Sequence, residues 1–127
     1  MALKVSGFNS AAIDYKIVSY DNTNSPSSAI QENVTGSSGT LYSVDMDNKS
    51  GSVAIIRLQD YASPVLGNST SGLADMFWAV PATTAKRVEI PGGIAFSQLN
   101  LWTTANGPVL ETANPASGGL IITIVCS

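Results

Sequence analysis

The chain has 127 residues and a mass of 13.1 kDa, with 6 basic and 9 acidic residues, one cysteine and no histidine. That length fits a single domain. A net charge of −3 and an isoelectric point near 4.5 leave no basic stripe for phosphates, so no nucleic-acid partner is expected.

Residues 1–12 show neither a strand nor a helix pattern and lack the continuous apolar core of a secretory leader, so they form an expected N-terminal arm. The remainder, residues 13–127, is expected to be one β-sandwich domain. Ile13, Tyr15 and Ile17 alternate with Asp14 and Lys16, the pattern of a half-buried strand. Residues 21–40 are a long polar loop. Within it, Ser28 followed three residues later by Gln31 has the form of a capping box and predicts one helical turn over residues 29–33.

Tyr42, Val44 and Met46 alternate with Ser43 and Asp45. The run Asp47-Asn48-Lys49-Ser50-Gly51 then supplies turn residues before a β-branched strand from Ser52 to Tyr61, which predicts a hairpin. Leu73 to Val80 is an apolar segment ended by Pro81, with Phe77 expected in the core. Arg87 to Ile90 precedes the turn signal Pro91-Gly92-Gly93. Ile94 to Thr104 places Leu99, Leu101 and Thr103 on one face and Gln98, Asn100 and Trp102 on the other. A weaker strand is predicted over residues 108–112. Leu120 to Cys126 is apolar on both faces, as a central strand would be, yet far too short to span a bilayer, so no membrane partner is expected. Seven to eight such strands predict an all-β antiparallel sandwich or jelly roll.

Chemistry is scarce. Without histidine the chain lacks the commonest general base and metal ligand. Cys126, alone and penultimate, is expected to be a small buried apolar residue. Asp45 to Gly51 looks superficially like a calcium loop, but Ile56 stands where the bidentate glutamate belongs. Asp60, Asp75, Glu89 and Glu111 are the acids a glycosidase pair would draw on, and solvent faces of strands explain them better. No enzyme, cofactor or metal site is expected.

Charged residues make up 12%, about half the usual share, while 17 Ser, 10 Thr and 9 Asn fill the polar quota. Neutral polar groups cost less to desolvate than Lys or Glu, so such a surface suits burial by neighbouring subunits. Leu3, Val5 and Phe8 in the N-terminal segment, Ile30 in the polar loop and Trp102 are the interface candidates. Trp102, among Asn and Gln, suits either the core or a stacking surface for protein or sugar.

From about Ser52 onward, some 60% of the chain resembles small structural proteins encoded in tailed-bacteriophage genomes. The residues concerned are Ile56 to Gly67, Ala79-Val80-Pro81-Ala82, Ile90 to Phe96, and Ser97 to Thr104 running into the last apolar strand. The chain departs from that pattern at Arg57-Leu58-Gln59-Asp60 and in lacking a glycine after Ala82. The resemblance implies a virion component. The expectation is a capsid cement or decoration protein, trimeric, bound to itself and to the major capsid protein, made in the host cytoplasm and ending in the phage head. A tail or fibre module binding host glycan through Trp102, and a neck connector, are the alternatives.

Overall fold

The computed structural model describes residues 3–9, 14–24, 30–62, 75–105 and 116–127, the backbone alone for residues 4–9 and 14. Among them are eight strands and no helix: β1 (Leu3–Asn9), β2 (Asp14–Asp21), β3 (Gly39–Asn48), β4 (Ala54–Asp60), β5 (Met76–Val80), β6 (Thr84–Phe96), β7 (Leu99–Thr104) and β8 (Leu120–Cys126). They form two antiparallel sheets, one ordered β1-β2-β8-β3-β6 and the other β5-β4-β7. The all-β sandwich expected from the alternation is present. Its winding is that of a jelly roll: β8 lies between β2 and β3, and β4 lies between β5 and β7. Gln31, in the connection from β2 to β3, makes an isolated bridge to Leu101 on the open side of β7, a one-residue counterpart of a fourth strand there.

The core lies between the sheets. Val18 and Tyr20 from β2, Val44 and Met46 from β3, and Leu120, Ile122, Ile124 and Cys126 from β8 meet Ala54, Ile56 and Leu58 of β4 and Leu99 and Leu101 of β7. The register aligns Val18–Ile124–Val44 and Tyr20–Ile122–Met46 in rows across the larger sheet. Strand β8 is central, as its two apolar faces predicted, and Cys126 is buried within it.

Several local expectations are corrected. The arm expected over residues 1–12 is, over Leu3–Asn9, the edge strand β1, paired along its length with β2. In β2 the phase is inverted: Val18 and Tyr20 face the core, whereas Tyr15 is exposed and Ile17 half-buried on the outside. Both alternating sets are apolar, so periodicity alone left the phase open; Ile13 lies outside the described residues.

The predicted hairpin from β3 to β4 does not exist, because the two strands belong to different sheets. The Asn-Lys-Ser-Gly segment is a corner instead. The buried Asn48 side chain donates through Nδ2 to the carbonyls of Ser52 (2.8 Å), Val80 (3.0 Å) and Pro81 (3.1 Å). Its Oδ1 accepts from the Ser50 amide at 3.0 Å and the Ser50 hydroxyl at 2.7 Å. One amide thereby satisfies the backbone of the corner and ties it to the end of β5.

Pro91-Gly92-Gly93 likewise ends nothing: β6 continues through it to Phe96. Tyr42 of β3 is bypassed where the register passes from Leu41↔Ile94 to Ser43↔Glu89. Gly92 and Gly93 have φ values of 80° and 74°, which only glycine adopts at little cost in such a bulge. The irregularity also switches the inward face of β3 from Leu41 to Val44 and Met46. Ile94 to Thr104 is two strands, divided at Ser97-Gln98 where the chain changes sheets. Here Asp60 Oδ1 accepts both backbone amides at 2.9 Å.

The helical turn predicted around Gln31 is absent. Gln31 exchanges both backbone hydrogen bonds with Leu101, at 2.7 and 3.0 Å. Val34 donates to the Leu99 carbonyl at 2.9 Å and buries its side chain in the core. Ser28 of the capping box, like the strand predicted over residues 108–112, lies outside the described residues.

Candidate functional site

The two sheets present contrasting outward faces. In antiparallel pairs directly opposed residues share a face. The register therefore sets Ile17 beside Val125 and Ser43, Ser19 beside Thr123 and Asp45, and Asp21 beside Ile121 and Asp47 on the outside of the larger sheet. At one end Tyr15, 37% exposed, meets Tyr42 edge to face with ring centroids 5.5 Å apart. Tyr15, Ile17, Tyr42 and Val125 form an uncharged field across β2, β8 and β3, bordered by the register row that runs from Lys4 through Ser19 and Thr123 to Asp45. Charge borders it at the Asp21–Ile121–Asp47 row and at the β3–β6 side, where Arg87 lies 3.4 Å from both Asp45 and Glu89. These exposed pairs contribute little to stability. They fence the field on one side.

The outward face of the smaller sheet is buried. Arg57, Gln59, Asn100, Trp102 and Thr104 lie on β4 and β7 at 0–2% exposure, with Arg57 opposite Trp102 in the register. Arg57 Nε donates to Thr104 Oγ1 at 3.1 Å, and its guanidinium sits 5.9 Å from the centroid of the Phe77 ring. Asn100 Nδ2 donates to the Tyr61 carbonyl at 2.8 Å, while its Oδ1 accepts the Asn33 amide at 3.0 Å. Phe77, expected in the core, is 49% exposed. Strand β5 turns Met76, Trp78 and Val80 inward, which leaves Phe77 on the side of Arg57.

The interface candidates do not converge. Leu3 is half-buried and packs against the core, opposite Tyr20. Val5 and Phe8 are register partners of Val18 and Tyr15. Ile30 is half-buried immediately before the Gln31 bridge. Trp102 is 1% exposed and presents no ring face to a sugar or a partner. The outward field rests instead on Tyr15, Ile17, Tyr42 and Val125, which the sequence reading did not select. One signal pointed to them: β8 is apolar on both faces, and only one face can meet the core.

Titration adds one feature. Burial raises the Cys126 thiol above its ordinary range, with the Lys16 charge opposing, so the thiol is held protonated and away from reagents. Of the four acids named as a possible catalytic set, Asp60 and Asp75 come together: Asp75 Oδ2 accepts the Asp60 amide at 2.6 Å. Glu89 belongs to the Arg87 group, and Glu111 lies outside the described residues. Compared with protein-family models, curated proteins and solved structures, the chain matches none.

Proposed function

We propose that the protein is a structural subunit of a virion, a cement or decoration protein of a phage head that binds the major capsid protein and its own copies as a trimer. The observation carrying this reading is the uncharged field on the larger sheet, centred on Tyr15, Ile17, Tyr42 and Val125. Covering these four residues removes aromatic and aliphatic surface from water at a low desolvation cost, since none of them is charged. The low charge of the whole chain and the resemblance carried by Ile56–Gly67 and Ile90–Phe96 support the same reading. The mechanism is mechanical. Many such contacts, repeated over a shell, resist internal pressure with no single tight site. The glycan alternative loses its anchor, since Trp102 is buried.

Cryo-electron microscopy of intact particles tests the proposal by location and number. Copies by the hundred over the shell support it; a ring of copies at one vertex points to a neck or tail station and overturns it. Tyr15→Lys and Val125→Lys, which place charge in the field, are expected to abolish decoration while leaving the unfolding midpoint nearly unchanged. Full decoration by both variants would show that another surface carries the contact.

A further inference from the structure

Where β6 leaves the larger sheet and β7 begins in the smaller one, the sandwich opens into a half-open cleft of about 250 Å³. Its walls are Leu41, Met76, Ile94, Phe96 and Leu99, and Asp60 and Asp75 stand at its rim. Ile94 is 44% exposed there, an apolar side chain left uncovered beside two carboxylates. A benzene-sized ligand fills an apolar cavity of ~150 Å³, whereas sites for drug-sized molecules begin near ~300 Å³. The cleft is therefore of a size for one large side chain rather than a cofactor.

The carboxylates decide which side chain. Asp60 Oδ1 is fixed by the amides of Ser97 and Gln98, and Asp75 Oδ2 by the amide of Asp60. Each acid thus has one oxygen engaged by backbone, and neither forms an ion pair with a described residue. The described surface ion pairs join Lys49 to Asp47 and Arg87 to Asp45 and Glu89. Among the described residues no third acid or other metal ligand joins the pair, which makes a poor site for a divalent metal.

We propose that this cleft docks a short segment of a partner protein that seats an aliphatic or aromatic side chain between Met76, Ile94 and Leu99. An adjacent Lys or Arg of that segment meets Asp60 and Asp75. Because both carboxylates are already held by backbone amides, binding the cation requires little rearrangement. The inference goes beyond the virion reading and does not depend on it.

The test is an NMR titration of the isotopically labelled full chain with n-hexylammonium, using 1-hexanol and hexanoate as controls. Hexylammonium should shift the resonances of Met76, Ile94, Phe96 and Leu99 and bind about tenfold more tightly than hexanol, with hexanoate weakest. The double variant Asp60→Asn, Asp75→Asn keeps an amide oxygen as acceptor for each backbone amide, so the fold is retained while the charge is lost. In that variant the preference for hexylammonium over hexanol should vanish, and 0.5 M salt should reduce it in the native chain. Equal binding of hexylammonium and hexanoate, shifts confined to other residues, or a preference that survives in the double variant would each overturn the proposal.

Discussion

The two sheets use neutral polar residues in opposite ways. On the smaller sheet Gln59, Asn100 and Thr104 are turned outward and then buried together with Arg57 and Trp102, so polarity there is internal and bound up with stability. On the larger sheet Ser19 and Thr123 lie half-buried among Tyr15, Ile17, Ile121 and Val125 on the outward face. The same low-charge composition therefore has two physical meanings. A buried polar group must be satisfied or it costs a few kcal/mol, whereas a neutral polar group on a face is inexpensive to cover. Substitutions in the smaller sheet should change folding, and substitutions on the face of the larger one should change association.

The strongest way to break this contrast is at Arg57. Truncating it in Arg57→Ala removes a fully buried side chain, its hydrogen bond to Thr104 and its contact with Phe77. A loss of about 3–5 kcal/mol is expected in urea unfolding. Arg57→Met, which keeps most of the volume, should lose clearly less. If Arg57→Ala unfolds at the native midpoint, the outward face of the smaller sheet is not an internal layer.

Adjacent residues of β8 give the next largest contrast. Ile124 points into the core and is 1% exposed, while Val125 points to the uncharged field. Ile124→Ala should destabilise by about 2–4 kcal/mol, and Val125→Ala by about 1 kcal/mol or less. Equal losses would place a second core over the larger sheet. Asn48→Ala acts at the corner where the chain passes from one sheet to the other. It removes the side-chain donor to the Val80 and Pro81 carbonyls and the acceptor of the Ser50 amide, while the Ser50 hydroxyl and the Ser52 carbonyl keep each other at 3.0 Å, for an expected loss of about 2–3 kcal/mol in the same measurement.

Asn48 also shows why the fold was only partly legible. Alternation of apolar residues marks the existence of strands and names two faces, and it located β3, β4 and the central β8. It does not name partners. Asn, Ser and Gly suit a corner between sheets as well as a hairpin turn, so the β3–β4 connection was misassigned. Similarly, Pro91-Gly92-Gly93 has turn chemistry whether the strand ends or merely bulges. Where both faces of a strand are apolar, as with Tyr15 and Ile17 against Val18 and Tyr20, only the partner strand fixes which set is inside. The candidate site shared that fate. Tyr15, Tyr42 and Val125 are far apart in sequence and become one field only through the β2–β8–β3 register. Trp102, conspicuous in the sequence, is conspicuous because it fills a buried layer.

The finest test concerns Cys126, at the boundary of the two regions, where the core side of the larger sheet meets alkaline solvent only on unfolding. The unfolded thiol ionises near pH ~8.5, whereas burial keeps the folded one protonated to higher pH. Above that point the folded chain binds more protons than the unfolded chain, so stability falls as pH rises. The contribution is complete below the unfolded value and disappears as pH climbs through the folded one. Burial also raises Tyr20, which adds a loss of the same sign at still higher pH. Urea midpoints measured from pH 7 to 10 should therefore decline more steeply for the native chain than for Cys126→Ala, although the variant starts lower because of its smaller side chain. At pH 8 a thiol reagent should label Cys126 only as fast as the sandwich opens, with urea accelerating the reaction. Rapid labelling of the folded chain, or parallel pH profiles for the two proteins, would mean that the end of β8 is open to solvent and that the larger sheet is less firmly closed at that edge than its core rows imply.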